Sequence, residues 1–327
     1  MGIDWINLFI MLILRNVSMV LLLLGLIGPL LAQPSVNEEL IEVVVLKDTL
    51  QQNVVKDQDL GDQSWDLLPE IRFWRQVMNL GPDYCILNNA DTREVYQIFP
   101  TINYDSLPNE KKRVFKDSMI RQLGLPPHTR LYVTYGKKDY YKFDKILSDI
   151  NKGIQYFTEV GVDPWYAQAI LLIESPGMNR TSPTGANGRF QLMRSVAIRE
   201  GLTINSQVDE REDLEKSAKA AAAYLKRVCI PQAKRMLIAR RIKVEEESLW
   251  IRLMVMHVYH GGAGNVSGAL RKIPYSYKEV ALIQQLWHTA YRGFRNASQN
   301  YSQIAVAALL ELERIINEEC NVICLSK

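Results

Sequence analysis

The sequence predicts an all-α domain over residues 143–316, preceded by a smaller, mostly helical module over residues 65–142. Three observations carry this. From Phe143 onward apolar residues recur at helical spacing, beginning with Ile146, Ile150, Ile154 and Phe157. Helix-boundary signals punctuate that half, the clearest being Asp163-Pro164, an N-cap followed by proline at the first helical position. Period-two alternation is nearly absent there, and many short helices without strands make an all-α domain.

In chain order, residues 5–32 are strongly apolar, and the run Val20–Ala32 follows the positive flank of Arg15. That pattern reads as a signal peptide with Ala32 as the small residue before cleavage, or as an uncleaved membrane anchor over 1–32. Export to the periplasm or cell envelope is the expectation. Residues 33–64 are polar and read as a linker, with one helical stretch near Asn37–Val45. In the module at 65–142, whose function the residues do not indicate, Pro69–Leu80 and Asn109–Leu123 are amphipathic helices. Gly124-Leu-Pro-Pro127 stops the second, since proline cannot continue a helix. Arg130–Tyr135 alternates enough for a short strand. Tyr132, Tyr135, Tyr140, Tyr141 and Phe143 suit either core packing or sugar contacts. Helices follow over Phe143–Gly161, Trp165–Glu174, Ser195–Glu200, Leu214–Val228, Ser248–Tyr259, Ser276–Phe294 and Tyr301–Glu318, with a tail at 317–327.

Length and composition bound the function. The 327 residues suit about two domains. With 47 % apolar and 23 % charged residues the chain is neither disordered nor a multi-span membrane protein. A net charge of +3 gives no reason to expect a nucleic-acid partner. Residues 151–327 hold 23 Lys+Arg against 17 Asp+Glu, net +6, which would suit an anionic polymer. Four cysteines are too few for a disulfide scaffold; Cys320 and Cys324 would share a helical face, and one or two disulfides or plain buried thiols both remain open. His257 and His260 have metal-ligand spacing but no third ligand, so no metal and no other cofactor is expected.

One helix carries a chemical signal. Glu174 is the only charged residue between Trp165 and Ile173 and itself, and Ala167, Ile170 and Leu171 precede it by seven, four and three positions on one face. A core-directed helix would carry this carboxyl into apolar surroundings. There, and at the negative end of the helix dipole, ionisation is disfavoured and the pKa rises. A carboxylic general acid needs such a shift. The competing possibility is a glutamate at a frayed end pointing to solvent. The polar segment Ser182–Met193 follows, where Gly185 and Gly188 permit close backbone approach and suit a loop lining a groove.

With these residues the chain resembles the lytic transglycosylases of the goose-type lysozyme fold, whose pattern is Glu-Ser, a short gap, then Ser-x-x-Gly-Ala-x-Gly-x-x-Gln-x-Met. Glu174, Ser175, Ser182, Gly185, Ala186, Gly188, Gln191 and Met193 fill it. Three further segments follow in the family's order: Asp209-Glu-Arg211-Glu-Asp213 with Ala220–Leu225, Tyr259-His-Gly-Gly-Ala-Gly264-Asn-Val266, and the tyrosine-bearing helix start around Tyr301. The arrangement is most like the membrane-bound members. His260 where asparagine is usual, Pro176-Gly177 after Glu-Ser, and Arg194 where proline is common are departures that bear on substrate subsites.

The resemblance implies cleavage of the β-1,4 bond between N-acetylmuramic acid and N-acetylglucosamine in peptidoglycan. Glu174 would protonate the leaving oxygen, then take the proton of the muramoyl 6-hydroxyl as a 1,6-anhydro ring closes. It further implies that Ser182, Gln191, Met193, Tyr259 and Tyr301 contact substrate or line its site. Clustering of Asp209, Glu210 and Asp213 around Arg211 favours a helix-start ion-pair role over a second catalytic carboxylate. A hydrolase of the same fold and a non-catalytic peptidoglycan-binding module are the alternatives.

Overall fold

The computed structural model describes residues 38–45, 51–174, 176, 178–244 and 248–323. The apolar segment 1–32, Ser175 and Cys324 lie outside them. The described chain opens with a hairpin of β1 (Glu38–Val45) and β2 (Gln51–Asp57), not with the helical stretch expected near 37–45. Val43, Val44 and Val45 are β-branched and fit a pleated strand better than a helix. The segment read as a linker is therefore folded: Ile41, Val54, Val55 and Leu60 are buried in the main core.

The next module is only partly helical, which corrects the expectation. α1 (Pro69–Asn79) leads into a three-stranded antiparallel sheet of β3 (Tyr84–Asn89), β4 (Val95–Pro100) and β5 (Leu131–Tyr135), ordered β4-β3-β5, with α2 (Asn109–Gln122) between β4 and β5. β3 is buried on both faces. Ile86 joins the main core, while Cys85 and Leu87 join a small second core with Phe99, Tyr104 and Leu131. A strand between two cores has no polar face, so alternation cannot reveal it.

The remainder is mostly helical. α3 (Leu147–Val160) and α4 (Trp165–Glu174) form an adjacent pair, and α4 starts where the cap was expected, with Trp165 N–H donating to Asp163 Oδ1 at 2.8 Å. Every residue of α4 from Trp165 to Ile173 is buried. A two-strand ribbon, β6 (Ala186–Asn187) and β7 (Leu192–Met193), leads into α5 (Arg194–Arg199) and α6 (Leu214–Tyr224). A π turn at Leu225–Cys229 passes the chain into α7 (Ile230–Ala239), which the sequence reading missed because Pro231 reads as a stop. The widened turn accommodates the proline's missing N–H. Then come α8 (Leu249–Gly261), α9 (Ala263–Leu270), α10 (Glu279–His288) and the long α11 (Ala297–Glu319). The helix expected over 276–294 stops at His288; Arg292 and Asn296 adopt left-handed backbone in the bend that follows. Finally β8 (Cys320–Ile323) pairs with β1, in a sheet ordered β2-β1-β8.

The hairpin is fixed to α4 by a side chain that imitates a strand. Val55 N–H donates to Gln168 Oε1 at 2.9 Å, and Gln168 Nε2 donates to Val55 O at 2.8 Å. Below it, fully buried Arg252 on α8 donates to Asp163 at 2.8 Å and lies 3.6 Å from Asp57.

Candidate active site

α4 delivers Glu174 at its last residue. The side chain is half-buried, and its carboxyl receives one described hydrogen bond, from the Tyr301 hydroxyl to Oε1 at 2.7 Å. Burial pushes the carboxyl up to about 7, against the opposing pull of the Tyr301 hydroxyl. Burial and the carboxylate's own charge push Tyr301 well above the usual phenol range, so it stays a donor. The Tyr140 hydroxyl caps the end of α4, lying 2.7 Å from Glu174 O and 3.0 Å from Ile173 O. Burial, then the charge of Glu174, also raises Tyr140 to about 12 and places Tyr259 well above its usual range. Of these three phenols, Tyr301 bonds the carboxyl, Tyr140 bonds the backbone at the helix end, and Tyr259 bonds Phe190 O.

The supports behind these groups are polar and buried. Tyr259 on α8 donates to Phe190 O at 2.6 Å, tying that helix to the glycine-containing loop. His257 lies a turn-half earlier on α8. Its Nδ1 is 2.9 Å from Ser298 O, an acceptor only, so Nδ1 carries the proton. Nε2 then accepts from Ser302 Oγ at 2.8 Å, and Ser302 in turn accepts from Trp287 Nε1 at 2.7 Å. Burial lowers the imidazole to about 3 and keeps it neutral. This chain of bonds locks α8 against the turn of α11 that presents Tyr301. His260 stacks on the Tyr301 ring with centroids 4.3 Å apart.

The loop is held by an arginine from outside it. Arg211 is buried, donates to Gly185 O at 2.8 Å and Leu192 O at 3.0 Å, and is paired with Asp209 at 2.6 Å. Asn187 donates to both Asp209 and Glu212 at 3.1 Å. At Gly188 the backbone has φ +79°, and a Cβ there would lie 1.8 Å from Arg211 O. Only glycine fits. Asp213 caps α6 by accepting from Lys216 N at 2.9 Å. The acidic cluster therefore positions the loop and starts a helix.

Residues 154–278 match the family model of the transglycosylase SLT domain. That stretch, running from α3 to the start of α10, is similar to such a domain. That domain is lysozyme-like and indicates a transglycosylase-type action on peptidoglycan. A search of curated proteins finds no match.

The SLT match contains Glu174, Ser182, Gln191, Met193 and Tyr259, and ends before Tyr301. The fold nevertheless brings Tyr301 directly onto Glu174. The other expected site residues are placed less directly. Ser182 is committed to its own turn, its hydroxyl accepting from Ala186 N at 2.9 Å. Gln191, at φ +46°, donates from Nε2 to Arg180 O at 2.6 Å and Gly188 O at 2.9 Å, bracing the SLT loop from within. Met193 is 43 % exposed on β7 and free to meet a ligand. Tyr140, outside the SLT match, was expected only as a core or sugar-contacting aromatic, and Arg180, whose guanidinium lies 4.6 Å from the Tyr140 ring centroid, was not expected as a site residue. Nothing in their local pattern distinguishes them from ordinary surface aromatic and basic residues. Tyr141 and Phe143 are core, whereas Tyr132 and Tyr135 are exposed. Cys85 and Cys229 are buried free thiols. Among the described residues no cluster of three metal-ligating side chains occurs, and no helix is long and apolar enough to cross a membrane.

Proposed function

We propose that the protein is a peptidoglycan lytic transglycosylase that cleaves between N-acetylmuramic acid and N-acetylglucosamine and leaves 1,6-anhydromuramoyl ends. The observation that supports it is the isolation of Glu174. Its carboxyl is raised to about 7 by burial, has the Tyr301 hydroxyl as its polar partner, and makes no ion pair among the described residues. Most glycosidases use two carboxyl groups to protonate the leaving oxygen and to activate water or form a covalent bond. One carboxyl suffices if it works twice and the substrate supplies the nucleophile.

In the first step protonated Glu174 gives its proton to the glycosidic oxygen as that bond breaks. The substrate's N-acetyl oxygen stabilises the cation at the anomeric carbon. The new carboxylate is held by the Tyr301 hydroxyl. In the second step it removes the proton of the muramoyl 6-hydroxyl, whose oxygen bonds to the anomeric carbon. Glu174 ends protonated, and no water is consumed. Met193 and Tyr259 flank the sugar, while Ser182 and Gln191 shape the loop that receives it. The apolar segment 1–32 exports the chain to the cell envelope, where the polymer is.

Digestion of purified peptidoglycan followed by mass spectrometry tests this. Anhydro-ended fragments are expected, and reducing-ended fragments would assign a hydrolase instead. Glu174→Gln should lower the rate by at least about 10²–10⁴-fold, the usual worth of a positioned acid–base group. Retained lysis by a folded Glu174→Gln protein would falsify the assignment.

A further inference from the structure

A cleft of about 420 Å³ opens between the sheet module and the first turns of α11. Its size falls within the range of about 300–1,000 Å³ found for small-molecule sites. Gln299, Asn300 and Gln303 line it from the face of α11 turned away from Tyr301, so it is separate from the Glu174 site. Its charges are unevenly matched. Arg130 is paired with Asp91, and Glu70 lies 3.3 Å from His288. Arg93 and Arg295 also line the cleft and form no ion pair among the described residues.

Arg93 is set in place. It sits at φ +63° in the β3–β4 turn, a backbone region that glycine and asparagine prefer. Asn89 Oδ1 pins that turn by accepting from Asp91 N at 2.8 Å and Thr92 N at 3.1 Å. The guanidinium lies 5.4 Å from the Phe73 ring centroid and 6.0 Å from that of Trp74, and donates to Asn300 Oδ1 at 3.1 Å. A half-buried cation held by two rings and an amide, in a strained turn and facing a cleft, is a preorganised anion receptor. The oxygens of Gln299, Asn300 and Gln303 already accept from Asn296 N, Arg93 and Trp74, so toward a peptide these carboxamides offer NH2 donors to C=O and a second oxygen lone pair to N–H.

We propose that this cleft binds the free carboxylate end of a short peptide, with Arg93 and Arg295 on the carboxylate and the α11 carboxamides on the peptide groups. Peptide branches of the wall polymer would supply such an end, so the peptide's identity rests on the proposed function; the carboxylate chemistry does not. Titration calorimetry of the full-length protein with N-acetyl-D-alanyl-D-alanine tests it, beside the C-terminal amide of that peptide and inorganic phosphate. Saturable binding of the free acid is expected, at least tenfold weaker for the amide and for phosphate. Arg295→Ala, on an exposed side chain, should weaken binding at least fivefold, and Arg93→Gln more. Because Arg93 packs on two rings, Arg295→Ala stands as the deciding variant if Arg93→Gln fails to fold. No saturable heat, equal binding of the amide, phosphate binding as tight as the peptide, or an unaffected Arg295→Ala protein would each overturn the proposal. Peptide binding that persists without any peptidoglycan cleavage would remove the proposed activity and leave the cleft assignment standing.

Discussion

At the residue scale the chemistry rests on a carboxyl kept protonated near neutrality. The Glu174 carboxyl is raised from 4.5 to about 7, so the acid step should weaken as pH rises through about 7. The same shift has a stability consequence. The folded protein holds this proton more tightly than the unfolded chain, so the stability linked to it is complete below about 4.5 and is lost as pH rises through about 7. Glutamine has no proton to lose. Glu174→Gln should therefore match the wild type in urea denaturation at pH 4 and exceed it by about 1–3 kcal/mol at pH 8. Equal midpoints at pH 8 would mean that the carboxyl is not buried against its charge. The gain is the counterpart of the activity it removes, as expected where a site stores unfavourable burial.

At the element scale the loop between β6 and β7 is the part most sensitive to small change. Gly188→Ala would force a Cβ into Arg211 O at 1.8 Å and put alanine at φ +79°. Strain of about 1–3 kcal/mol from the backbone alone is expected, with loop displacement on top. Thermal melting should drop by several degrees and peptidoglycan lysis by at least about tenfold, while far-UV circular dichroism of the helices persists. This loop was legible in the sequence because its glycines and polar residues are unlike anything around them. α4 was legible for a related reason: its cap is an Asp163-Pro164 pair, and its one charge ends an apolar run. Of the strands, β5 was legible by its alternation, whereas β1 and β3 were not. The valine run of β1 is followed by no glycine or proline, and Cys85-Ile86-Leu87 of β3 are apolar without alternation because two cores claim them. Tyr301 was anticipated by resemblance, and its bond to Glu174 joins residues 127 apart, a pairing that only the tertiary fold produces. Tyr140 and Arg211 act through backbone carbonyls, and a carbonyl acceptor leaves no trace in sequence.

At the scale of the whole molecule the hairpin is part of the same packed body as the helices. Its Val55 completes its hydrogen bonds on Gln168, and its Asp57 shares the buried Arg252 with Asp163. Arg252→Met keeps the volume and removes the cation between two carboxylates. A loss of about 3–5 kcal/mol is expected, the usual cost of breaking a buried pair, and it should shrink as pH falls through about 7, the value to which burial raises the Asp57 carboxyl. Because Gln168 lies on α4, slackening the hairpin should also slow lysis without altering the products. The sheet has one more implication. β1 and β8 are partners, with Glu42 opposite Ile323 and Val45 opposite Cys320. Ile323 thus lies about four strand residues, roughly 13 Å, from Glu38. A circular permutant that splices Ile323 to Glu38 through a short flexible loop, and opens instead at the exposed Pro127–His128 bond, should fold to the same near-UV signature and melt close to the parent. Failure to fold would show that the order in which the two strands are made matters as much as their pairing.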